Sequence, residues 1–202
     1  MIQVKNLHVR FNDTDLYNGL NFNVAQGEKV AIKGESGSGK STLLNVLLGF
    51  VPDFEGKIII NGMPLDVKHV RRIRTHTSFV PQELQFTVFP TVKEMFYAPF
   101  GFKLNTMPGE EEINRIFDLF EISTDLLNRN IKEISGGQKQ RIMLASAVLL
   151  HKPIMLLDEP TSALNRELAV KILDYLMQTE ATVLAATHDE EFIKRADKII
   201  EL

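Results

Sequence analysis

Hydrophobic residues alternate with polar ones over residues 2–9 and again over 20–24, with a Gly27-Glu28 turn between the second run and the next. Such period-two stretches predict strands with one buried face. Lys29–Lys33 is a short, mostly apolar strand. Residues 40–49 switch to helical spacing, with Leu43, Leu44, Leu47 and Leu48 on one side. Residues 57–60 are β-branched and end at Asn61-Gly62, a strong turn signal. Thr77–Val80 predicts another strand, stopped by Pro81. From about residue 91 to 150 apolar residues recur at helical spacing, as in Ile113, Ile116, Phe117 and Phe120, and strand signals are few. A buried-type strand over 154–157, a helix over 167–177, a strand at Thr182–Ala186, a helix over 189–196 and a last strand over 198–202 follow. Apolar strands alternating with helices predict an α/β protein with a parallel sheet covered by helices on both faces. A small N-terminal antiparallel β part and an inserted α-helical part complete it. The expected organisation is a single domain over 1–202, with a core of 1–90 and 151–202 and a helical subdomain of about 91–150.

Composition narrows this little. The 202 residues, 44% hydrophobic and 24% charged, suffice for one well-buried domain. A net charge of -3 gives no basic field for nucleic acid. No cysteine is present, so disulfides and thiolate metal sites are excluded. The first residues lack the apolar core of a signal peptide, and no apolar run approaches the roughly 18 residues that cross a bilayer. The expectation is a soluble chain whose membrane role, if it has one, runs through a partner. With the chain ending soon after its last strand, the expectation is of no C-terminal regulatory domain.

The chemistry begins between the strand at 29–33 and the helix at 40–49. Gly34-Glu35-Ser36-Gly37-Ser38-Gly39-Lys40-Ser41-Thr42 fits the P-loop pattern in its required context of strand, loop and helix. The glycines let successive N–H groups turn into one concavity, and the helix N-terminus behind it favours an anion. Lys40 would reach the β- and γ-phosphates, Ser41 would ligate Mg2+, and Thr42 would add a hydrogen bond to a phosphate further in. The alternative is a flexible Gly/Ser turn. A second acidic element, Asp158-Glu159, closes a buried-type strand, where ligands sit in open α/β sheets. Beside a P-loop, Asp158 is placed to hold Mg2+ through water and Glu159 to act as general base on the attacking water. On its own such a pair is ordinarily a solvated loop.

Ile134-Ser135-Gly136-Gly137-Gln138 opens the helix expected over 139–150. Read alone, it is a second anion site or an ordinary cap with Ser135 as N-cap residue. The stretch closely resembles the signature sequence of ATP-binding cassette (ABC) ATPases. Further matches follow in family order: Gln82 resembles the Q-loop glutamine, Ser162-Ala163-Leu164-Asn165 the D-loop, and His188 the switch histidine. Phe11 resembles the aromatic residue that stacks on adenine, with Tyr17 as alternative. The resemblance covers essentially the whole chain.

It implies an ATPase that binds ATP and Mg2+ and closes as a head-to-tail homodimer or heterodimer. Ser135, Gly136, Gly137 and Gln138 of one subunit would meet the nucleotide held by the P-loop of the other, and Gln82 would contribute to Mg2+ and couple to the partner. The implied partners are transmembrane permease subunits on separate chains, with the ATPase at the cytoplasmic face of the membrane, no direct nucleic acid, and membrane contact only through the permease. Phe86, Phe89, Phe96, Phe100 and Phe102 mark either a permease docking surface or lobe core. Asn165 stands where the family usually has Asp, in a side chain expected to cross the dimer interface. Two other readings are a soluble ABC protein acting on nucleic acid or ribosomes, and a regulatory nucleotide-binding module with little turnover. The single compact cassette without a basic tail speaks against the first, and Glu159 against the second.

Overall fold

The computed structural model describes residues 1–11, 14–82 and 89–202, apart from the side chain of Phe11. Its strands are β1 (Ile2–Phe11), β2 (Thr14–Val24), β3 (Lys29–Lys33), β4 (Glu55–Ile60), β5 (Met63–Pro64), β6 (Thr77–Val80), β7 (Ile154–Asp158), β8 (Thr182–Ala186) and β9 (Lys198–Glu201). Four of them form an antiparallel sheet in the order β2-β1-β4-β5. The other five form a parallel sheet in the order β6-β7-β8-β3-β9. The helices are α1 (Lys40–Leu47), α2 (Val70–Thr75), α3 (Val92–Tyr97), α4 (Glu110–Leu119), α5 (Gly136–Leu149), α6 (Arg166–Gln178) and α7 (Glu190–Arg195).

Period-two alternation sorts the parallel strands between two cores. Ile32, Leu156 and Leu184 face α1 and the antiparallel sheet, whereas Ala31, Leu157 and Ala185 join the side chains of α3 to α7. Because both faces are covered, β7 and β8 are buried at every position, which is why they read as continuous apolar runs. The expected elements are present with ends shifted by a few residues. Two were not foreseen, α2 and the two-residue β5. Only Ile73 of α2 is buried, so a single apolar position left no period to read. The first half of β2 also escaped notice: of its residues up to Gly19 only Tyr17 is buried.

Residues 91–150 contain helices and 3-10 turns, and their strand-like pairing among the described residues is the isolated bridge Thr91 to Asn130. Phe96 and Phe117 meet edge to face at 5.0 Å inside this region, and Phe100 lies 5.8 Å from Phe96. Burial of each such ring is worth about 1.5–3 kcal/mol. Phe96 and Phe100 are therefore core residues, Phe89 packs against the same core, and Phe102 is exposed; Phe86 lies outside the described residues.

The end of the sheet opposite the glycine loop is bolted by Lys29. Its ammonium donates to the carbonyls of Gly27, Thr179 and Ala181 at 2.7–2.8 Å. Burial lowers its pKa, with Asp197 acting in the opposite sense. Three acceptors match the three donors of an ammonium, so the buried charge is fully hydrogen-bonded.

Candidate nucleotide site

The carboxyl ends of β3, β7 and β8 open into a cleft of about 800 Å3. Ser36, Gly37, Gly39, Lys40, Ser41, Thr42, Gln82, Asp158, Glu159 and His188 all line it. Residues spread over more than 150 positions of sequence therefore meet where an open α/β sheet binds its ligand.

The loop of residues 34–39 owes its shape to glycine at two positions above all. Gly39 has φ 98°, in the left-handed region, and a Cβ there would come within 2.8 Å of the Tyr17 hydroxyl. Gly34 approaches the Leu202 carbonyl so closely that a Cβ would sit 2.8 Å from it. Lys40 leads α1 and is only 8% exposed. Its ammonium folds back over the loop and donates to the carbonyls of Gly34 at 3.0 Å and Glu35 at 2.9 Å. A cation held by neutral carbonyls at the mouth of an anion cradle is placed to exchange them for phosphate oxygens. Ser38 has a buried Oγ with no protein partner. Glu35 itself is exposed.

Asp158 ends β7 and is nearly buried. Burial raises its carboxyl pKa above the ordinary range, while hydrogen bonds from the Ser41 hydroxyl and the Gln82 backbone N–H and the charge of Lys40 act against that rise. The Ser41 and Asp158 oxygens are thus paired across the cleft floor, two hard donors of the kind Mg2+ takes beside phosphate and water. The donor set fits that ion. Gln82 is exposed at the cleft edge.

Glu159 follows at φ 47°, left-handed for a non-glycine residue. Such a conformation costs about 1–3 kcal/mol and persists only where neighbours fix it. Its N–H donates to the Ala186 carbonyl at 2.8 Å, which extends the β7–β8 pairing by one step. Its carboxylate is mostly covered, with Oε1 3.6 Å from His188 Nε2 and Oε2 accepting from the His188 N–H at 3.4 Å. The next turn is tied to the histidine loop, since the Thr161 hydroxyl donates to Asp189 at 2.7 Å. Asp189 in turn caps α7.

One sequence expectation changes. Tyr17, the alternative adenine partner, is buried, and its hydroxyl donates to the Gly39 carbonyl at 2.5 Å; burial raises its pKa. Its ring belongs to the core under the loop, and Leu16 lines the cleft instead. The Phe11 side chain lies outside the described residues. Asn165 is exposed, and its Oδ1 accepts the Leu168 N–H at 2.9 Å as the N-cap of α6. Asp caps as well as Asn and adds a charge that suits a helix N-terminus. Asn165→Asp is therefore expected to hold or raise stability by up to about 0.5 kcal/mol, read as an unchanged or slightly higher thermal midpoint.

The signature residues stand apart. Ser135 caps α5 in a reciprocal box, its hydroxyl accepting the Gln138 N–H at 3.2 Å while the Gln138 side chain accepts the Ser135 N–H at 2.8 Å. Ser135 and Gly136 are exposed, and none of residues 135–138 lines the cleft. One residue of the same helix went unnoticed in the sequence, Gln140, whose buried amide reaches Glu159 and Ala163.

Comparison with known proteins agrees with this architecture. The ABC transporter family pattern matches residues 17–162. The thiamine import ATP-binding protein ThiQ of Histophilus somni is 35% identical over 193 residues, covering 89% of this chain and 85% of ThiQ. The spermidine/putrescine import ATP-binding protein PotA of Legionella pneumophila is 30% identical over 207 residues, covering 99% of this chain. The chain spans 56% of the length of that PotA. Among solved structures, the dimeric post-hydrolysis state of the ATP-binding cassette MJ0796 bound to ADP and Pi superposes with a TM-score of 0.83 at 31% identity. That match covers 100% of this chain and 94% of the other. With the P-loop, acidic pair and signature on the fold of those cassettes, the chain belongs to the ABC transporter family as an ABC-type ATPase domain.

Proposed function

We propose that the chain is the ATP-hydrolysing subunit of a membrane ABC transporter. It closes head-to-tail with a second cassette, of its own kind or a homologue, on two Mg-ATP and drives permease subunits on separate chains. The observation that carries this is the separation of the signature from the cleft. Lys40, Asp158, Glu159 and His188 form one half of a site, and the exposed Ser135-Gly136 turn of the same chain is not part of it. A second chain supplies the missing half in the head-to-tail arrangement. The names of ThiQ and PotA as import ATP-binding proteins support a transporter role, and the dimeric MJ0796 cassette supports the pairing.

On this reading Lys40 gives up the Gly34 and Glu35 carbonyls for the β- and γ-phosphate oxygens. Mg2+, held by Ser41 and Asp158 with Gln82 at the edge, would neutralise charge on those phosphates. Glu159 accepts a proton from water as the water oxygen bonds to the γ-phosphorus. The bond to the β-phosphate oxygen breaks, and its electron pair leaves with ADP. His188, against the Glu159 carboxylate, orients the water and the γ-phosphate.

Phe102 and Leu104, each 70% exposed, and Met107 are exposed apolar residues of the helical region, in the segment before α4, where a permease would dock. The subunit then lies on the cytoplasmic face of the membrane through its permease. Among the described residues no helix is long and apolar enough to cross a membrane. The domain is continuous over 1–202, with 91–150 as the signature-bearing subdomain.

Light scattering on Glu159→Gln, with and without Mg-ATP, tests the reading. Turnover falls about a hundredfold, the scale of a lost general base, while bound ATP holds two chains together. The expected mass doubles only with nucleotide. A monomer under both conditions, with wild-type hydrolysis, would refute both the pairing and the base.

A further inference from the structure

Gln140 sits in α5 three residues past the signature glycines and is 5% exposed. Its carboxamide takes no part in capping the helix, which Ser135 and Gln138 accomplish. All its side-chain bonds go to the segment of residues 159–163. Nε2 donates to the Glu159 carbonyl at 2.6 Å and lies 3.4 Å from the Ser162 hydroxyl, while Oε1 accepts the Ala163 N–H at 3.0 Å. A second contact joins the same two elements. The Ala163 carbonyl approaches Gly137 so closely that a Cβ at that glycine would lie 2.6 Å from the oxygen. The first turns of α5 and the segment after β7 are thus locked together at two points.

Glu159 needs such a lock. Its left-handed backbone relaxes unless both flanking peptides are held. The N–H is held by Ala186, and the carbonyl by Gln140, by the Ser162 hydroxyl at 3.0 Å and by the Ser162 N–H at 3.3 Å. Ser162 is exposed, so Gln140 is the buried residue among those donors and the one that ties the carbonyl to another element.

We infer that Gln140 is a positioning residue for the hydrolytic reaction: it fixes the Glu159 peptide, and with it the direction of the Glu159 carboxylate, and makes that direction depend on the helix that carries the signature. This rests on Glu159 acting as the base. A base displaced by a fraction of an ångström loses much of its rate advantage with little change in substrate binding. A partner that engages the signature and shifts α5 therefore acts on the carboxylate of the same chain.

The test is a double-mutant cycle on the full chain, reading kcat, KM for ATP and thermal midpoint. Gln140→Met keeps the volume and removes all the side-chain hydrogen bonds to residues 159–163. Gln140→Glu keeps an acceptor for the Ala163 N–H and loses the donor to the Glu159 carbonyl. Both are expected to lower kcat about tenfold or more and to leave KM within about twofold. On a Glu159→Gln background the same substitutions should cost nothing further, because the group they position is gone. An equal loss in both backgrounds, or wild-type kcat in a folded Gln140→Glu, would overturn the inference while leaving the base assignment intact. Wild-type turnover in Glu159→Gln alone would instead remove the base, and the role of Gln140 with it. Should Gln140→Met fail to fold, Gln140→Glu, of the same length, carries the comparison.

Discussion

Asp158→Asn should lower ATP hydrolysis by about two to three orders of magnitude, the scale of removing one preorganised charge-stabilising group, and at the same time raise the thermal midpoint of the nucleotide-free protein at neutral pH. The two effects have one cause. Asp158 is buried at the end of β7, and burial lifts its pKa above the unfolded value. Between the two values the folded chain binds the extra proton, so stability falls as pH rises through that window. Above the window the folded state carries the whole cost of a buried carboxylate, which only Ser41, Lys40 and the Gln82 N–H offset. Asn keeps the shape and accepts the Ser41 hydrogen bond without the charge. Its advantage should be present at pH 7 and vanish below the unfolded Asp pKa of about 3.9. Melting curves at both pH values, beside phosphate release at pH 7, check the pair. A variant that melts lower at pH 7 than the parent would show that Asp158 stabilises the empty site.

Lys40→Ala should lose ATP affinity by about a thousandfold. Charge-assisted hydrogen bonds are worth about 1.5–3 kcal/mol each, and the ammonium is placed to make two, to the β- and γ-phosphates. Part of that gain is already committed in the empty protein, where Gly34 and Glu35 hold the same ammonium. Two carbonyls at the mouth of the loop then lose their donor, so the variant's empty loop should also be looser than the parent's. Equilibrium binding of a fluorescent ATP analogue measures the first effect, and amide exchange over residues 34–39 the second. Binding within about threefold of the parent would remove Lys40 from the phosphate contact.

What the sequence made legible follows from how local each feature is. The loop of residues 34–42 and the pair Asp158-Glu159 are contiguous, and each sits at a strand end that the apolar pattern marks. Their meeting in one cleft needed only the rule for parallel sheets. Gln140 was invisible because its partners lie 19 and 23 residues further on. In the sequence it is one more polar residue of a glutamine- and lysine-containing turn. Asn165 has a local role that the resemblance did not supply. The commonest use of Asn before a helix, capping the third N–H, is what the chain adopts. The phenylalanines divided for the same reason: burial depends on what packs opposite, and Phe96 and Phe100 join Phe117 in one core cluster whereas Phe102 is exposed.

The place of β3 in the parallel sheet has a consequence for synthesis. Its two neighbours are β8 and β9, strands that leave the ribosome about 150 residues later. Until then the strand that launches the P-loop has an unpaired edge on each side, and closing so long a chain segment is entropically slow. The antiparallel sheet, whose strands all lie within the first 64 residues, has its partners at hand early. The nascent chain therefore acquires its accessory sheet long before it can grip a nucleotide, and becomes competent in a late step that seats β3 between the last two strands.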